Sequence, residues 1–170
     1  RDWNIDGFLG EEPLWGRFWD NPALSASDRA VVLQARAKAR ADLADYLKAG
    51  ADCGLIHADG LRENIFRDGD TLTLIDFDDA GFGFRLYDLA TAVSQAIDDP
   101  SYPSLTAAVL QGYASARPLD RQAAALMPLF AMLRCFASLG WVMPRLAPDH
   151  PQWARSAERA VRTARAYSGA

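Results

Sequence analysis

The residues His57-Ala58-Asp59-Gly60-Leu61-Arg62-Glu63-Asn64, followed after a turn by Leu74-Ile75-Asp76-Phe77-Asp78-Asp79, gather a histidine, an amide and several acids into one short stretch. Phosphoryl transfer calls for such a set. Its transition state needs little covalent help from protein. It needs a carboxylate that orients the attacking hydroxyl and takes its proton, and hard oxygen ligands for metal ions that bridge the nucleotide phosphates. One Asp near the hydroxyl, with an Asn and a second Asp on magnesium, is the minimum, because magnesium borrows its remaining ligands from water and phosphate. Composition alone would yield a His-x-Asp-x4-Asn string in roughly one chain of this length in a hundred, and adding an apolar strand that ends in Asp-Phe makes coincidence rarer.

For three such residues to meet, the chain between them must fold back on itself. Cys53-Gly-Leu-Ile-His57 reads as a short strand. Asn64-Ile-Phe-Arg67 and Thr71-Leu-Thr-Leu-Ile-Asp-Phe77 read as a β-hairpin turned at Asp68-Gly69-Asp70. The loop from Asp59 to Asn64 then enters the first hairpin strand and Asp76 ends the second, so all three sit at one end. Ala80-Gly-Phe-Gly-Phe84 reads as a glycine-rich loop, and helical patterns follow over 86–98, 102–116, 119–139 and 150–168. Upstream, Ser25 or Ser27 caps an Ala-rich helix whose stripe is Val32, Leu33, Leu43, Tyr46 and Leu47, with Gly50 as its stop. Residues 1–24, with Trp3, Phe8, Trp15, Phe18 and Trp19, predict a short helix and loop packed onto something large.

Half of the 170 residues are hydrophobic, 24% are charged, and 22 acids outnumber 18 bases for a net charge of -4, the profile of a soluble globular chain. That balance offers no cationic field for nucleic acid. Cys53 and Cys135 stand far apart with no CxxC, which excludes zinc-ribbon and thioredoxin readings and suits a reducing, cytoplasmic setting. The apolar stretch Leu126–Leu146, broken by Pro128, Arg134 and Gly140, reads as a core helix rather than a membrane span. The chain opens at Arg1 without an initiator Met, so an upstream segment is expected.

The 57–79 segment resembles the catalytic core of the aminoglycoside phosphotransferase and choline kinase family, relatives of the protein kinases with their HRD-x4-N and DFG motifs. The likeness continues through Gly81-Phe-Gly-Phe-Arg-Leu-Tyr-Asp-Leu-Ala-Thr-Ala-Val93 and covers most of residues 50–100. It implies an α+β, predominantly helical fold: the C-terminal lobe of a protein-kinase-like fold with a small central β-hairpin. Residues 1–50 would be a helical entry segment, 51–85 the catalytic loop and metal-binding hairpin, and 86–170 a helical substrate-side subdomain. The resemblance makes Asp59 the catalytic base, Asn64 and Asp76 the magnesium ligands, His57 a loop-shaping residue and Asp88 the anchor beneath the catalytic loop. It implies transfer of the γ-phosphoryl group of ATP to a hydroxyl of a small molecule: an amino alcohol, a hydroxy amino acid or an aminoglycoside-like acceptor. Gly60 departs from the Leu that the family places after the catalytic Asp, which predicts a looser loop. The family's ATP-clamping N-terminal lobe has no counterpart in these residues, so this chain alone is expected to be a poor kinase.

Other residues carry open readings. Arg62 either neutralises charge on the transferred phosphoryl group or pairs with Glu63 or Asp68. Asp78, and less so Asp79, either assist the metal or are exposed loop acids. Arg134, the one charge in an apolar helix, must be paired, reach water or face an acceptor pocket that Trp15, Trp19 and Trp141 could line. His150 lies in a surface turn with no partner ligands. Two rival functions stand beside phosphotransfer: a non-catalytic nucleotide-binding regulator, and a metal-dependent phosphohydrolase using Asp76 to Asp79.

Overall fold

The computed structural model describes residues 1–169. Helices α2 (Ala26–Lys48), α3 (Arg85–Val93), α4 (Tyr102–Ala116), α6 (Met127–Trp141) and α7 (Gln152–Ser168) dominate it, with shorter α1 (Ile5–Leu9) and α5 (Arg121–Ala124). Between α2 and α3 run β2 (Cys53–Ile56), the hairpin β3 (Ile65–Asp68) and β4 (Thr71–Leu74), and β5 (Gly81–Phe84). A further short strand, β1 (Asp2–Trp3), opens the chain. The α+β, mainly helical reading therefore stands.

Ser25 starts α2 by accepting the Asp28 amide at 3.1 Å. The buried face of α2 is Val32, Ala35, Ala39 and Leu43, whereas Leu33 and Leu47, placed on the expected stripe, are exposed. α2 packs against α7, which buries Ala157, Ala160 and Ala164.

Three expectations need correction. Residues 80–84 are not a loop: β5 lies at the centre of a three-stranded sheet, antiparallel to β2 and parallel to β1. Its glycines mark close approach rather than a turn, since a Cβ on Gly83 would stand 2.4 Å from Trp3 Cβ and one on Gly81 would stand 2.1 Å from the Arg1 carbonyl oxygen. The expected helix 119–139 is broken at Ala125 and Leu126, between α5 and α6. Asp120 caps the first piece through the Ala123 amide at 2.7 Å, and Pro128, which has no N–H to give, sits in the opening turn of the second. The helix expected over 86–98 likewise ends at Val93 and passes into a single 3-10 turn, Ser94–Ala96.

The aromatic residues of the first segment pack onto α3 and α6. Trp3 stacks on Tyr87 at 5.2 Å, Phe8 meets Tyr87 at 4.7 Å, and Phe18 stacks on Phe136 at 4.5 Å; such pairs add about 0.5–1.5 kcal/mol each beyond their buried area. The stretch Arg121–Trp141 is long and apolar enough to cross a membrane by composition, yet 61% of its apolar 18-residue window is buried within the protein, as in a core helix.

Candidate active site

β2 delivers the chain to His57, and the first turn of α3 receives it. The Asp88 carboxylate accepts the backbone N–H of His57 at 2.8 Å and of Ala58 at 2.7 Å. Burial pushes the Asp88 carboxyl above its ordinary range, and the two amide donors pull the other way. Clamped here, Ala58 takes a left-handed φ of 66°, a conformation that a residue with a Cβ holds only when its surroundings impose it.

Buried His57 ties this loop to the segment bearing Asp76. The Asp59 N–H points at Nδ1, 3.3 Å away, which places the ring proton on Nε2, donated to the Ile75 carbonyl oxygen at 2.8 Å. Its ring also packs against Phe77 at 4.5 Å. β4 stops at Leu74, two residues short of the expected Asp76, and the chain passes through φ 64° at Asp76 before Phe77 reaches His57.

Asn64 closes a 3-10 turn (Arg62–Asn64) and is buried. Its Nδ2 donates to the Asp59 backbone oxygen at 2.9 Å and to Asp59 Oδ2 at 3.2 Å, and its backbone oxygen accepts the Ile75 N–H at 3.1 Å. The amide NH2 is thus committed to Asp59 and the side-chain carbonyl oxygen is left free to ligate. That oxygen and the exposed Asp76 carboxylate are hard donors of the kind magnesium takes when it arrives with a nucleotide. Among the described residues no three His, Cys, Asp or Glu side chains gather into a metal site. Around Gly60 the Leu61 N–H donates to the Asp59 backbone oxygen at 2.8 Å, and open space surrounds the place a Cβ would take.

A cleft of about 480 Å³ opens beside Asp59. Asp59, Glu63, Asp79, Arg134, Trp15 and Trp141 are among its lining residues, while Trp19, also considered for it, is buried in the core. Gly140 lets the Trp15 loop lie against α6, since a Cβ there would stand 2.4 Å from the Trp15 carbonyl oxygen. Arg134 both lines the cleft and is paired: its Nη2 lies 3.0 Å from Asp59 Oδ1. Asp79 pairs with Arg1 at 2.8 Å; burial pushes its carboxyl above the ordinary range, Arg1 opposes this, and nearby Asp59 and Asp76 add to it.

Arg62 is exposed and, among the described residues, pairs with neither Glu63 nor Asp68. Glu63 instead accepts a hydrogen bond from Gln95 Nε2 at 2.7 Å, while Gln95 Oε1 accepts the Arg62 N–H at 3.3 Å. Nothing in the sequence marks Gln95 for this task. Asp78 is exposed, and His150 accepts the N–H of Gln152, a cleft-lining residue, at 3.1 Å at the entrance to α7.

A model of the phosphotransferase enzyme family matches residues 6–126. The chain belongs to this family. Its relatives include the homoserine kinase of Neisseria meningitidis serogroup B, 30% identical over 152 residues, which cover 84% of this chain and 48% of that protein. The homoserine kinase of Gluconobacter oxydans is 36% identical over 121 residues, covering 67% of this chain and 38% of that one. Among solved structures, the microcompartment-associated aminopropanol kinase superposes with a TM-score of 0.84 at 31% identity, over 99% of this chain and 53% of that one. The amicoumacin kinase hAmiN, in complex with AMP-PNP, Ca2+ and Ami, shares the fold with a TM-score of 0.63 at 21% identity, over 90% of this chain and 48% of that one. This phosphotransferase-family chain thus spans about half the length of the relatives it matches, or less.

Proposed function

We propose that these residues form the catalytic, C-terminal lobe of an ATP-dependent phosphotransferase whose acceptor is the hydroxyl of a small amine. The observation that carries this reading is the double use of Asn64: its NH2 grips Asp59 while its carbonyl oxygen stays free, so that one residue joins a candidate base to a candidate metal site. Asp59 takes the proton of the acceptor hydroxyl as that oxygen bonds to the γ-phosphorus and the bond to the departing ADP oxygen breaks. Magnesium, held by Asn64 and Asp76 with Asp78 at its side, would neutralise the phosphate charge. Arg62, exposed and unpaired with its neighbours, is free to reach the transferred group. His57 and Asp88 keep the loop in shape.

The acceptor class has its own support. Trp15 and Trp141 line the cleft with arginines already over their rings, Arg1 and Arg145 on Trp15 and Arg145 on Trp141, so the group left to receive an ammonium is Glu63, the cleft carboxylate that has no cationic partner among the described residues. The names of the similar proteins, homoserine kinase and aminopropanol kinase, point to the same kind of molecule. An ATP-clamping N-terminal lobe would complete the protein. The exposed Phe66, Leu72 and Phe77 near the hairpin, and the paired Leu55 and Phe82 on β2 and β5, offer apolar surface for it and for the nucleotide base. A cytoplasmic setting supplies ATP and keeps the free thiols Cys53 and Cys135 reduced.

The test is an ATP-consumption screen of the protein completed with its N-terminal lobe, against amino alcohols, hydroxy amino acids, sugars and aminoglycosides. Turnover stimulated by a hydroxylated amine is expected. Magnesium-nucleotide binding with no acceptor effect would favour a regulatory nucleotide-binding protein, and metal binding without nucleotide, with water as acceptor, would favour a phosphohydrolase.

A further inference from the structure

Arg134 is a mostly buried charge, its side chain 15% exposed at the cleft, on a helix that otherwise buries Met127, Leu129, Phe130, Met132, Leu133 and Phe136. An apolar side chain of the same length would fill this place without the cost of stripping water from a guanidinium. What the charge adds is a bond to Asp59. Its Nη2 reaches Asp59 Oδ1 at 3.0 Å, whereas the wholly buried Tyr87 hydroxyl, from α3, has no hydrogen-bond partner among the described residues. Asp59 is thereby held from two directions, Oδ1 by α6 and Oδ2 by Asn64 of its own loop.

We propose that Arg134 is a positioning residue for the catalytic carboxylate: it fixes the plane of Asp59 from across the acceptor cleft and balances its charge before the acceptor enters. The inference rests on the phosphotransfer reading above. Aspartate has two side-chain torsions to settle, and a single hydrogen bond from Asn64 leaves its carboxylate free to pivot about that contact. A second, charge-assisted bond on the other oxygen removes the pivot and leaves the outer lone pairs facing the cleft. Because α6 also forms the cleft wall through Cys135, Ala137 and Ser138, the same helix sets both where the acceptor lies and where its base points.

The experiment compares Arg134→Met, Arg134→Lys, Asp59→Asn and the Asp59→Asn/Arg134→Met double variant in the completed protein. Each is assayed for kcat and KM with the acceptor found by the screen, for magnesium-ATP affinity and for melting temperature. Arg134→Met is expected to lower kcat by about 10²-fold, the usual penalty for a base displaced by an ångström, with acceptor KM and nucleotide affinity nearly unchanged. Arg134→Lys, which keeps the charge but loses the planar fork, should recover a large part of that loss. In the Asp59→Asn background, Arg134→Met should have no further effect, since it acts through Asp59.

An unchanged kcat in Arg134→Met, an effect confined to acceptor KM, or losses that simply multiply in the double variant would each overturn the proposal. If Arg134→Met fails to fold, Arg134→Lys decides alone: a lowered kcat at constant KM supports positioning, and a raised KM at constant kcat overturns it. A wild type that transfers no phosphate to any acceptor sinks the functional reading and this inference together, whereas an active wild type with an indifferent Arg134→Met sinks only the inference.

Discussion

Asp88 carries more of the site than its distance from the chemistry suggests. Replacing it with Ala strands the amides of His57 and Ala58, and each buried donor left unpaired costs about 1–3 kcal/mol. Asp88→Ala is therefore expected to lower stability by about 2–4 kcal/mol in denaturant unfolding, and to release Ala58 from its left-handed conformation with loss of turnover. A variant of unchanged stability would mean that water or another group serves those amides. At this scale much was legible in the sequence. His57, Asp59, Asn64 and Asp88 are joined by short bonds within one region of the chain; spacing brought Asp59 and Asn64 together, and the family resemblance implied the parts of His57 and Asp88. Arg134 was visible only as a charge in the wrong place. Its partner lies 75 residues away, and no local pattern encodes a contact between a helix and a loop so distant. Gln95, a polar residue on an exposed helical turn, gave no signal at all.

Between elements, Asp52 joins the entrance of β2 to α4 and α3. Its carboxylate accepts two bonds from Arg117, at 2.7 and 2.8 Å, and one from the Tyr113 hydroxyl at 2.6 Å, with Arg85 at 3.3 Å. The Arg117 bond, with Tyr113 and Arg85 in support, holds the Asp52 carboxyl below its ordinary value of 3.8 against the opposing effect of burial. Tyr113 in turn is pushed up to about 12, by burial first and then by this carboxylate. An acid whose folded pKa is depressed stabilises the fold above its unfolded pKa and loses that contribution as pH falls through the folded value. Asp52→Asn should thus cost about 1–3 kcal/mol at neutral pH, and the gap from wild type should close as pH drops below 3.8. A gap independent of pH would show that the bond geometry matters and the charge does not. Gly140→Ala is expected to destabilise by about 1–3 kcal/mol through overpacking against the Trp15 carbonyl, and to raise acceptor KM as Trp15 is pushed from the cleft wall. The long helices were readable because their caps and apolar spacing are local. β5 was not, because its glycines answer to a neighbouring backbone, and the α5–α6 break was hidden by continuous apolar character on both sides of Leu126.

For the whole molecule, the fold sets a cleft beside Asp59 and leaves apolar side chains exposed on both sheets. Leu55 and Phe82 are 62% and 68% exposed although they are paired across β2 and β5. Replacing either with Ser should shift the melting temperature of the 170-residue chain little, while destabilising the protein completed with its N-terminal lobe; equal small effects in both would mean that the lobe docks elsewhere. The family could be read from the motifs, but the cleft could not, because its lining comes from the first segment, the 59–63 loop, Asp79, the 3-10 turn after α3 and helices α6 and α7 at once. The central claim is that Asp59 is the base of a phosphotransfer reaction whose metal sits on Asn64 and Asp76. Its most direct test is Asp59→Asn in the completed protein, with magnesium-ATP affinity and acceptor phosphorylation measured on the same sample. The account predicts unchanged nucleotide affinity and a loss of kcat of about 10²–10⁴-fold. Turnover that survives the substitution, or a loss traced entirely to nucleotide binding, would contradict it.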